Sequence, residues 1–93
     1  MERGFGRFVW DVEREDANIA KHGVDFTSAA KVFFDAKRKI IIDSKHSVME
    51  LRHYCIGKVD DKVITVRFTY RKGKVRIFGA GYWRKGKMYY EKE

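Results

Sequence analysis

The second half of the chain alternates apolar and polar residues on both sides of Lys72-Gly73, and this pattern restricts the fold more than any other. Glycine readily takes the positive φ of a two-residue hairpin turn, so the stretch predicts two antiparallel strands joined there. The turn sets these cross-strand neighbours: Tyr70 with Val75, Phe68 with Ile77, Val66 with Gly79, Thr69 with Arg76 and Arg67 with Phe78.

A second turn at Asp60-Asp61 adds a third strand in front of these two. It pairs Cys55 with Val66, His53 with Phe68 and Leu51 with Tyr70, and both turns give the same apolar face. We therefore expect a three-stranded antiparallel sheet over residues 50–82, although a one-residue slip would exchange its faces. The polar face would carry Glu50, Arg52, Tyr54, Arg67, Thr69, Arg71 and Arg76.

The first half of the chain predicts two helices. Asp11 can cap a helix that ends before Gly23, because acids lie in its first turns and Lys21 and His22 in its last. Apolar residues from Phe26 follow a helical spacing, so a second helix is expected over residues 27–34. These helices would cover the apolar sheet face, which makes the fold class α+β.

The remaining segments are expected to be short. Residues 1–7 form an arm that we expect to be mobile, and Phe8–Trp10 an edge strand beside the sheet. Residues 39–43 suggest another strand, followed by a polar loop. The tail, residues 83–93, is either a short helix interrupted at Gly86 or a frayed end. Nothing in the sequence suggests a linker, so residues 1–93 are expected to form one domain.

The composition indicates an anionic partner and a cytoplasmic protein. The 93 residues include 21 Lys and Arg against 13 Asp and Glu, for a net charge of +8, as expected for a nucleic-acid-binding protein. A single cysteine excludes an internal disulfide, and the chain contains neither a secretory signal nor a long apolar run. Metal and phosphate-loop motifs are also missing from the sequence, so neither a metal nor a cofactor is expected.

Several ordered motifs resemble the BrnT family, whose members are ribonuclease toxins of type II toxin-antitoxin systems. The motifs are Phe8-x-Trp10-Asp11, Asn18-x-x-Lys21-His22-Gly23-Val24, Phe26-x-x-Ala29-x-x-Val32-Phe33-x-Asp35, Glu50-x-Arg52, Ile56-Gly57, Thr69-x-Arg71 and Arg76-Ile77.

The resemblance implies a small two-layer RelE-like fold and metal-independent cleavage of RNA that inhibits translation and growth. It also implies neutralisation by a BrnA-type antitoxin with a ribbon-helix-helix domain, in a complex that binds promoter DNA. The oligomeric state that the resemblance implies is either a homodimer or a heterotetramer. No membrane partner is expected.

The chain departs from the family pattern at Gly81, where the family has an arginine at the end of the last strand. That arginine would be a catalytic or phosphate-binding group. Arg84 lies nearby in sequence and could reach the same space. An alternative hypothesis is therefore that the protein is a catalytically weakened relative that still binds RNA or its antitoxin. A third hypothesis is that it is a basic nucleic-acid-binding module and not an enzyme.

RNA cleavage without a metal needs a base, a positive clamp for the pentavalent phosphate and an acid for the leaving oxygen. Arg71 and Arg76 are the first choice for the clamp, because guanidinium groups bind phosphate oxygens bidentately, and Arg52 and Arg67 come next. Glu50 would pair with Arg71, which would lower its pKa and favour a role in orienting arginine over one as the base.

His22 is the histidine chosen as acid or base, with Lys21 balancing phosphate charge, although both could simply stabilise a helix end. Tyr54 could stack on a base or shield the sheet. We expect His53 and Cys55 to be buried on the apolar face and His46 to be solvated in its loop. The RNA-binding set is thus Arg52, Arg67, Tyr54 and Arg84, and the catalytic set is Arg71, Arg76, Glu50, His22 and Lys21.

Overall fold

The computed structural model describes residues 1–92, which contain six strands and three α-helices. The strands are β1 (Glu2–Phe5), β2 (Phe8–Asp11), β3 (Lys39–Ile42), β4 (Arg52–Val59), β5 (Lys62–Arg71) and β6 (Lys74–Gly81). The helices are α1 (Val12–His22), α2 (Phe26–Lys31) and α3 (Arg84–Glu91), and short 3-10 turns cover Val32–Phe34 and Ser44–His46. In the described part of the chain, no helix has the length and apolar character needed to span a membrane.

Both predicted hairpin turns are present. The φ angles are 50° and 66° at Asp60 and Asp61, and 52° and 75° at Lys72 and Gly73. Two consecutive positive φ angles define the type I′ turn, whose twist matches that of the flanking strands. The predicted pairs that follow from these turns are confirmed for Tyr70 with Val75, Phe68 with Ile77, Thr69 with Arg76, Cys55 with Val66 and His53 with Phe68.

The predicted register is wrong at two places. Arg67 pairs with Gly79 and Val66 with Ala80, because β6 has one extra residue, Phe78, at a bulge. The alternation of apolar and polar residues does not reveal such an insertion. Gly79 and Ala80, which follow the bulge, are both small, so either of them could lie on the core face. The pairing of Leu51 with Tyr70 is not formed, because β4 begins at Arg52.

The sheet is mixed, and the expectation of an antiparallel sheet is wrong in this respect. Its strand order is β1-β2-β6-β5-β4-β3, and β2 runs parallel to β6 while the other neighbours are antiparallel. The two strands are far apart in sequence, so no hairpin turn fixes their relative direction. Phe8–Trp10 therefore lies in an interior strand and not at an edge. Residues 2–5 of the expected arm form β1, which pairs with β2, and the mobility of that arm stays a prediction.

Helices α1 and α2 follow the first two strands, and the ends of α1 are capped as the sequence predicts. The Asp11 carboxylate accepts a hydrogen bond from the Arg14 backbone N–H at 3.0 Å, and Gly23 ends α1 in the left-handed conformation with φ 72°. The second helix is shorter than expected, because α2 ends at Lys31 and the chain tightens into a 3-10 turn over Val32–Phe34.

The hydrophobic core lies between these helices and one face of the sheet, which we call the core face. Phe26, Ala29 and Ala30 of α2 are fully buried against the central strands, where Val66 and Phe68 are also fully buried. Burial of large apolar side chains is the main favourable term in folding, so this layer fixes α2 on the sheet.

Two buried polar side chains fix α1 as well. The Glu15 carboxylate accepts hydrogen bonds from Trp10 Nε1 at 3.0 Å and from the Phe26 backbone N–H at 2.9 Å. The Asn18 amide donates to the carbonyls of Val24 and Ala80, each at 2.9 Å, and accepts from the Ala80 N–H at 3.1 Å. A buried polar group is tolerated when its hydrogen bonds are satisfied, so these side chains join α1 to β2, α2 and β6.

Helix α3 packs on the opposite side of the sheet, which we call the second face. It runs through Gly86 without interruption, and a Cβ there would lie 1.9 Å from Thr65 Oγ1, so only glycine allows this close approach to β5. At the other end of the helix, the Tyr90 hydroxyl donates to Asp35 Oδ2 at 2.5 Å, and Lys39 Nζ donates to the Tyr89 carbonyl at 2.8 Å.

The contact between Tyr90 and Asp35 predicts a loss of stability at alkaline pH. The hydrogen bond to Asp35, helped by burial, raises the pKa of Tyr90 to about 12. Because an unfolded tyrosine has a pKa of about 10, the stabilisation is complete below pH 10 and is lost as the pH rises towards 12. We expect Tyr90→Phe to cost about 1 kcal/mol of unfolding free energy at pH 8, measured by urea denaturation, and less at pH 11.

The matched control is Tyr70→Phe, because Tyr70 is exposed and its hydroxyl bonds to no group within residues 1–92. It should change the unfolding free energy little at either pH. If Tyr90→Phe behaves like this control, the bond to Asp35 does not stabilise α3.

Candidate functional site

The second face carries an arginine cluster, which we define as Arg52 and Arg71 at the Glu50 carboxylate together with Arg76 on the neighbouring strand β6. The Glu50 carboxylate accepts a hydrogen bond from Arg71 Nη2 at 2.7 Å, which confirms the predicted pair, and lies 3.6 Å from Arg52 Nη2. The bond from Arg71 outweighs the effect of burial and holds the pKa of Glu50 below its usual value. Glu50 is therefore a carboxylate at neutral pH, and it orients arginines better than it accepts protons.

The other two arginines of the cluster are held by neighbours on β6 and β1. The Arg52 guanidinium lies 4.4 Å from the centre of the Phe78 ring, the residue that the bulge inserts into β6. Arg76 forms an ion pair with Glu2, and its side chain is 20 % exposed. All three arginines of the cluster thus already have an anionic or aromatic partner.

Arg67 differs from these arginines because, among residues 1–92, no carboxylate lies within ion-pair distance of it. Its side chain extends across Gly79, where an added Cβ would lie 2.9 Å from Arg67 Nη2. It lines a cavity of about 720 Å³ between α3 and the strands, which we call the α3 cavity. The other residues that line this cavity are Ile41, Ile42, Asp43, Ser44, Lys45, Tyr54, Ile56, Thr65, Trp83, Lys85, Gly86 and Tyr89.

The wall of the cavity opposite α3 contains a buried carboxylate with two polar neighbours. Asp43 Oδ2 lies 2.8 Å from His46 Nδ1, and the Tyr54 side chain lies beside the same carboxylate. Burial raises the pKa of Asp43, but the contacts with His46 and Tyr54 outweigh it and hold the pKa below its usual value. Burial and the charge of Asp43 raise the pKa of Tyr54, so its hydroxyl stays a hydrogen-bond donor at neutral pH.

His22 and Lys21 lie apart from the arginine cluster. The ring centres of His22 and Trp83 are 5.1 Å apart, just beyond the end of β6, whereas Arg76 lies near the start of that strand. Gly81 lies five positions after Arg76 in the extended strand, which is a distance of about 16 Å. Trp83 also lines the α3 cavity, so His22 adjoins the cavity and not the cluster. Lys21 is exposed in the last turn of α1, and Arg84 is exposed at the start of α3.

Two reactive side chains lie on the core face, as expected, although His53 is half-buried and not fully buried. The His53 ring stacks on Phe68 with 5.2 Å between ring centres, and Cys55 is fully buried. Burial raises the pKa of the Cys55 thiol to about 12, so it is not a thiolate at neutral pH. Neither residue belongs to the second face.

Sequence reasoning missed several residues of the α3 cavity. Lys85 and Tyr89 are four residues apart on α3, and this spacing would have placed them on one helix face. Asp43 lines the cavity at the end of the segment that was expected to be a strand, and His46, in the expected polar loop, lies outside the lining and is paired with Asp43 although its side chain is 55 % exposed. The signal for this pair was present in the sequence, but nothing local showed that Asp43 is buried.

A metal centre is not evident in the described part of the chain, where no three His, Cys, Asp or Glu residues are grouped closely enough to hold an ion.

Gly81 pairs with Thr65 at the end of β6, and the Trp83 ring lies against it. A Cβ at Gly81 would lie 2.7 Å from Trp83 Cε2. The space that a side chain at this position would need is therefore filled by Trp83, which also forms part of the cavity wall.

A comparison with protein families gives one match. The family model for BrnT, described as the ribonuclease toxin of a type II toxin-antitoxin system, matches residues 10–86. This range covers most of the chain and includes the arginine cluster and nearly all residues of the α3 cavity. No curated protein matches the chain.

The contact between Gly81 and Trp83 predicts that Gly81→Arg destabilises the fold. Because the Cβ would overlap the indole ring, we expect a cost of about 1–3 kcal/mol in the unfolding free energy. In a Trp83→Ala background the same substitution should cost much less, because the ring is gone. Urea denaturation of the four proteins of this double-mutant cycle measures the difference. Equal costs in both backgrounds would mean that Trp83 does not restrict position 81.

Proposed function

Because the chain belongs to the BrnT family of ribonuclease toxins of type II toxin-antitoxin systems, we propose that it is an endoribonuclease that cleaves RNA without a metal ion. Cleavage would inhibit translation and growth of the cell that contains the toxin. The RelE-like fold implied by the resemblance and the cytoplasmic location belong to the same proposal.

The observation that carries this proposal is the Arg67 guanidinium beside the α3 cavity, which forms no ion pair with any carboxylate of residues 1–92. A phosphate that binds Arg67 does not have to displace a carboxylate of the protein, whereas Arg71 and Arg76 are already paired with Glu50 and Glu2. The cavity adjoins Tyr54, Trp83 and Tyr89, and aromatic rings are the surfaces on which unstacked RNA bases lie. Arg67 therefore replaces Arg71 and Arg76 as our first choice for the clamp on the scissile phosphate.

The arginine cluster supports a second role, that of holding the RNA backbone. Arg71 lies four residues from Arg67 on β5, about 13 Å along the strand, which is about two phosphate spacings of an extended nucleic-acid chain. Arg52 and Arg76 lie on the neighbouring strands of the same face. The cluster would thus bind phosphates on one side of the cleaved bond, with Glu50 fixing the guanidinium groups of Arg52 and Arg71.

The proposed reaction transfers the phosphate within the RNA. The 2′-oxygen loses its proton to a base and attacks the phosphorus, the bond from phosphorus to the 5′-oxygen breaks, and the leaving oxygen takes a proton. The products are a 2′,3′-cyclic phosphate and a 5′-hydroxyl end. The exposed Arg67 guanidinium would stabilise the charge that develops on the non-bridging oxygens, because it is already held in place beside the cavity.

His46 is our choice for the base. Its Nδ1 is bonded to the buried Asp43 carboxylate, which leaves Nε2 for the substrate, the arrangement by which a carboxylate orients a catalytic histidine. His22, the histidine chosen from the sequence, contacts Trp83 and stays the alternative. Tyr54 lies between Asp43 and Arg67 and would donate a hydrogen bond to the phosphate or to the leaving oxygen.

Membership of a type II toxin-antitoxin family implies a protein antitoxin as partner. We propose that it is a BrnA-type antitoxin with a ribbon-helix-helix domain, and that the complex, as a heterotetramer, binds promoter DNA. The toxin alone would be a monomer or a homodimer. Co-expression with the antitoxin should restore growth of cells that express the chain.

One observation favours a second candidate function. Trp83 fills the space beside Gly81 where the family has an arginine, so the chain lacks one cation and has an aromatic ring in its place. A catalytically weakened relative that binds RNA or the antitoxin would have these features. Such a protein would release intact RNA, and its binding would fall steeply with salt.

Cleavage of end-labelled RNA in the presence of EDTA tests the proposed function. The wild-type protein should give fragments with cyclic phosphate ends, and Arg67→Ala should lower the rate about 100-fold, because a preorganised donor to the phosphate is lost. Arg71→Ala should lower it about tenfold by weakening RNA binding. Lys31→Ala removes one exposed charge on α2 and should leave the rate unchanged. Equal rates for Arg67→Ala and Lys31→Ala would refute the role of Arg67, and fragments only in the presence of a divalent cation would refute the metal-free reaction.

Substitution of each histidine identifies the base. His46→Gln should lower the cleavage rate at least tenfold, because the imidazole that accepts the 2′-hydroxyl proton is lost. His22→Gln is the matched control, since it removes the same ring beside Trp83. If His22→Gln lowers the rate and His46→Gln does not, the base is His22.

A further inference from the structure

A second cavity lies on the core face, beyond the part that α2 covers. It has a volume of about 470 Å³ and is formed by the β1–β2 turn on one side and by residues 33–40 on the other. Its walls and floor are largely aromatic and aliphatic, and we call it the core-face groove. The residues that line it are Phe5, Gly6, Arg7, Phe8, Phe33, Phe34, Arg38, Ile40, Tyr70 and Val75.

Large apolar side chains are exposed at this groove. Phe34 is 69 % exposed, Tyr70 53 %, and Phe5 and Ile40 are each 41 % exposed. Contiguous exposed apolar surface of this kind marks an interaction site more often than chance exposure does.

The groove and the proposed RNA site lie on opposite faces of the sheet. Val75 and Tyr70 pair across β5 and β6 on the core face, whereas their neighbours Arg76 and Thr69 pair on the second face. Successive residues of a strand point to opposite faces, so a ligand in the groove does not touch Arg67 or the arginine cluster.

The charges at the groove have one sign. Arg7 stands on one wall and Arg38 on the other, and each bonds only to a backbone carbonyl, that of Gly73 and that of Asp35 respectively. Among residues 1–92, neither guanidinium forms an ion pair, and no acidic residue lines the groove. An apolar floor between two cationic walls is complementary to an apolar stripe with acidic residues on both sides.

We propose that the core-face groove binds an amphipathic acidic helix of a partner protein. Three or four apolar side chains, spaced at i, i+3 or i+4 and i+7, would lie on Phe8, Phe34 and Tyr70, and carboxylates beside this stripe would pair with Arg7 and Arg38. Resting on the proposed function, this partner is the antitoxin. The antitoxin helix is then bound at a surface separate from the RNA site. Another segment of the antitoxin, or its overall size, blocks access of RNA to the second face.

Peptide binding tests the groove directly. The probe is a synthetic helix of about 20 residues with a leucine stripe flanked by glutamates, and a second peptide carries lysines in place of the glutamates. Fluorescence anisotropy should show that the wild-type protein binds the acidic peptide and not the basic one. Phe34→Ala should weaken this binding about tenfold, whereas Met88→Ala, which removes an exposed apolar side chain from α3, should leave it within about twofold.

Charge reversal distinguishes the effect of the two groove arginines on peptide binding from the effect of the net positive charge of the protein. The double variant Arg7→Glu/Arg38→Glu should lose the acidic peptide and bind the basic one, whereas Lys85→Glu/Lys87→Glu changes the net charge equally and should keep the acidic peptide. The proposal is overturned if both double variants lose the acidic peptide alike, or if Phe34→Ala binds it as tightly as the wild type. It is also overturned if sedimentation shows a dimer of the free protein that Phe34→Ala dissociates, because the groove is then closed by a second copy.

The outcome does not depend on RNA cleavage. Phe34→Ala should cleave RNA at the wild-type rate, since Phe34 lies on the opposite face. If the wild type cleaves no RNA, the proposed function fails, while the peptide measurements still decide whether the groove binds an acidic helix.

Discussion

The arrangement of this protein depends on two buried polar side chains of α1. Glu15 receives hydrogen bonds from the Trp10 ring and the Phe26 backbone, and Asn18 bonds both backbone groups of Ala80. A buried polar group that loses its partners costs more than the net gain of making the bond, so each of these contacts excludes other positions of the helix. They set α1 and α2 on the core face and thereby leave the second face to α3 and the arginines.

The two faces of the sheet then carry different chemistry. The second face brings together arginines, of which Arg67 forms no ion pair within residues 1–92, and a cavity with three aromatic side chains, and these features suit the proposed binding of RNA. The core face is covered by α2 over one part, and its uncovered part is an apolar groove between Arg7 and Arg38, which form no ion pair with the described residues either. A toxin of this family must bind both its substrate and its inhibitor. If the two bind at separate surfaces, the inhibitor can bind tightly although its shape and charge differ from those of RNA.

Local patterns were sufficient to predict the hairpins, the caps of α1 and the identity of the two sheet faces. Lys72-Gly73 and Asp11 act through their own backbone and near neighbours, so their effects are visible in a few residues. The parallel pairing of β2 with β6 and the bulge at Phe78 depend on contacts between distant parts of the chain, and no local signal specifies them. The contact of Glu50 with Arg71 was predicted from the register, and the two side chains meet although the backbone pairing of β4 begins only at Arg52.

The candidate site was predicted as a set of residues but not as an arrangement. The sequence identified the arginines of the second face, but it could not show that Arg71 and Arg76 are neutralised while Arg67 is not. That difference arises from Glu2 and Glu50, which come from separate parts of the chain. The sequence also led us to group His22 with the arginines. In the structure, Asn18 fixes α1 at the far end of β6, and His22 therefore lies against Trp83.

The most direct test of this division of the faces is an NMR titration of the ¹⁵N-labelled protein with an RNA oligonucleotide made uncleavable by 2′-deoxy substitution. The account predicts that the largest shifts are those of the Trp83 indole N–H and of the backbone amides of Tyr54, Arg67 and Lys85, while the amides of Phe34 and Ile40 are unchanged. Shifts confined to the core-face groove, with Arg67 and Trp83 unaffected, would contradict it.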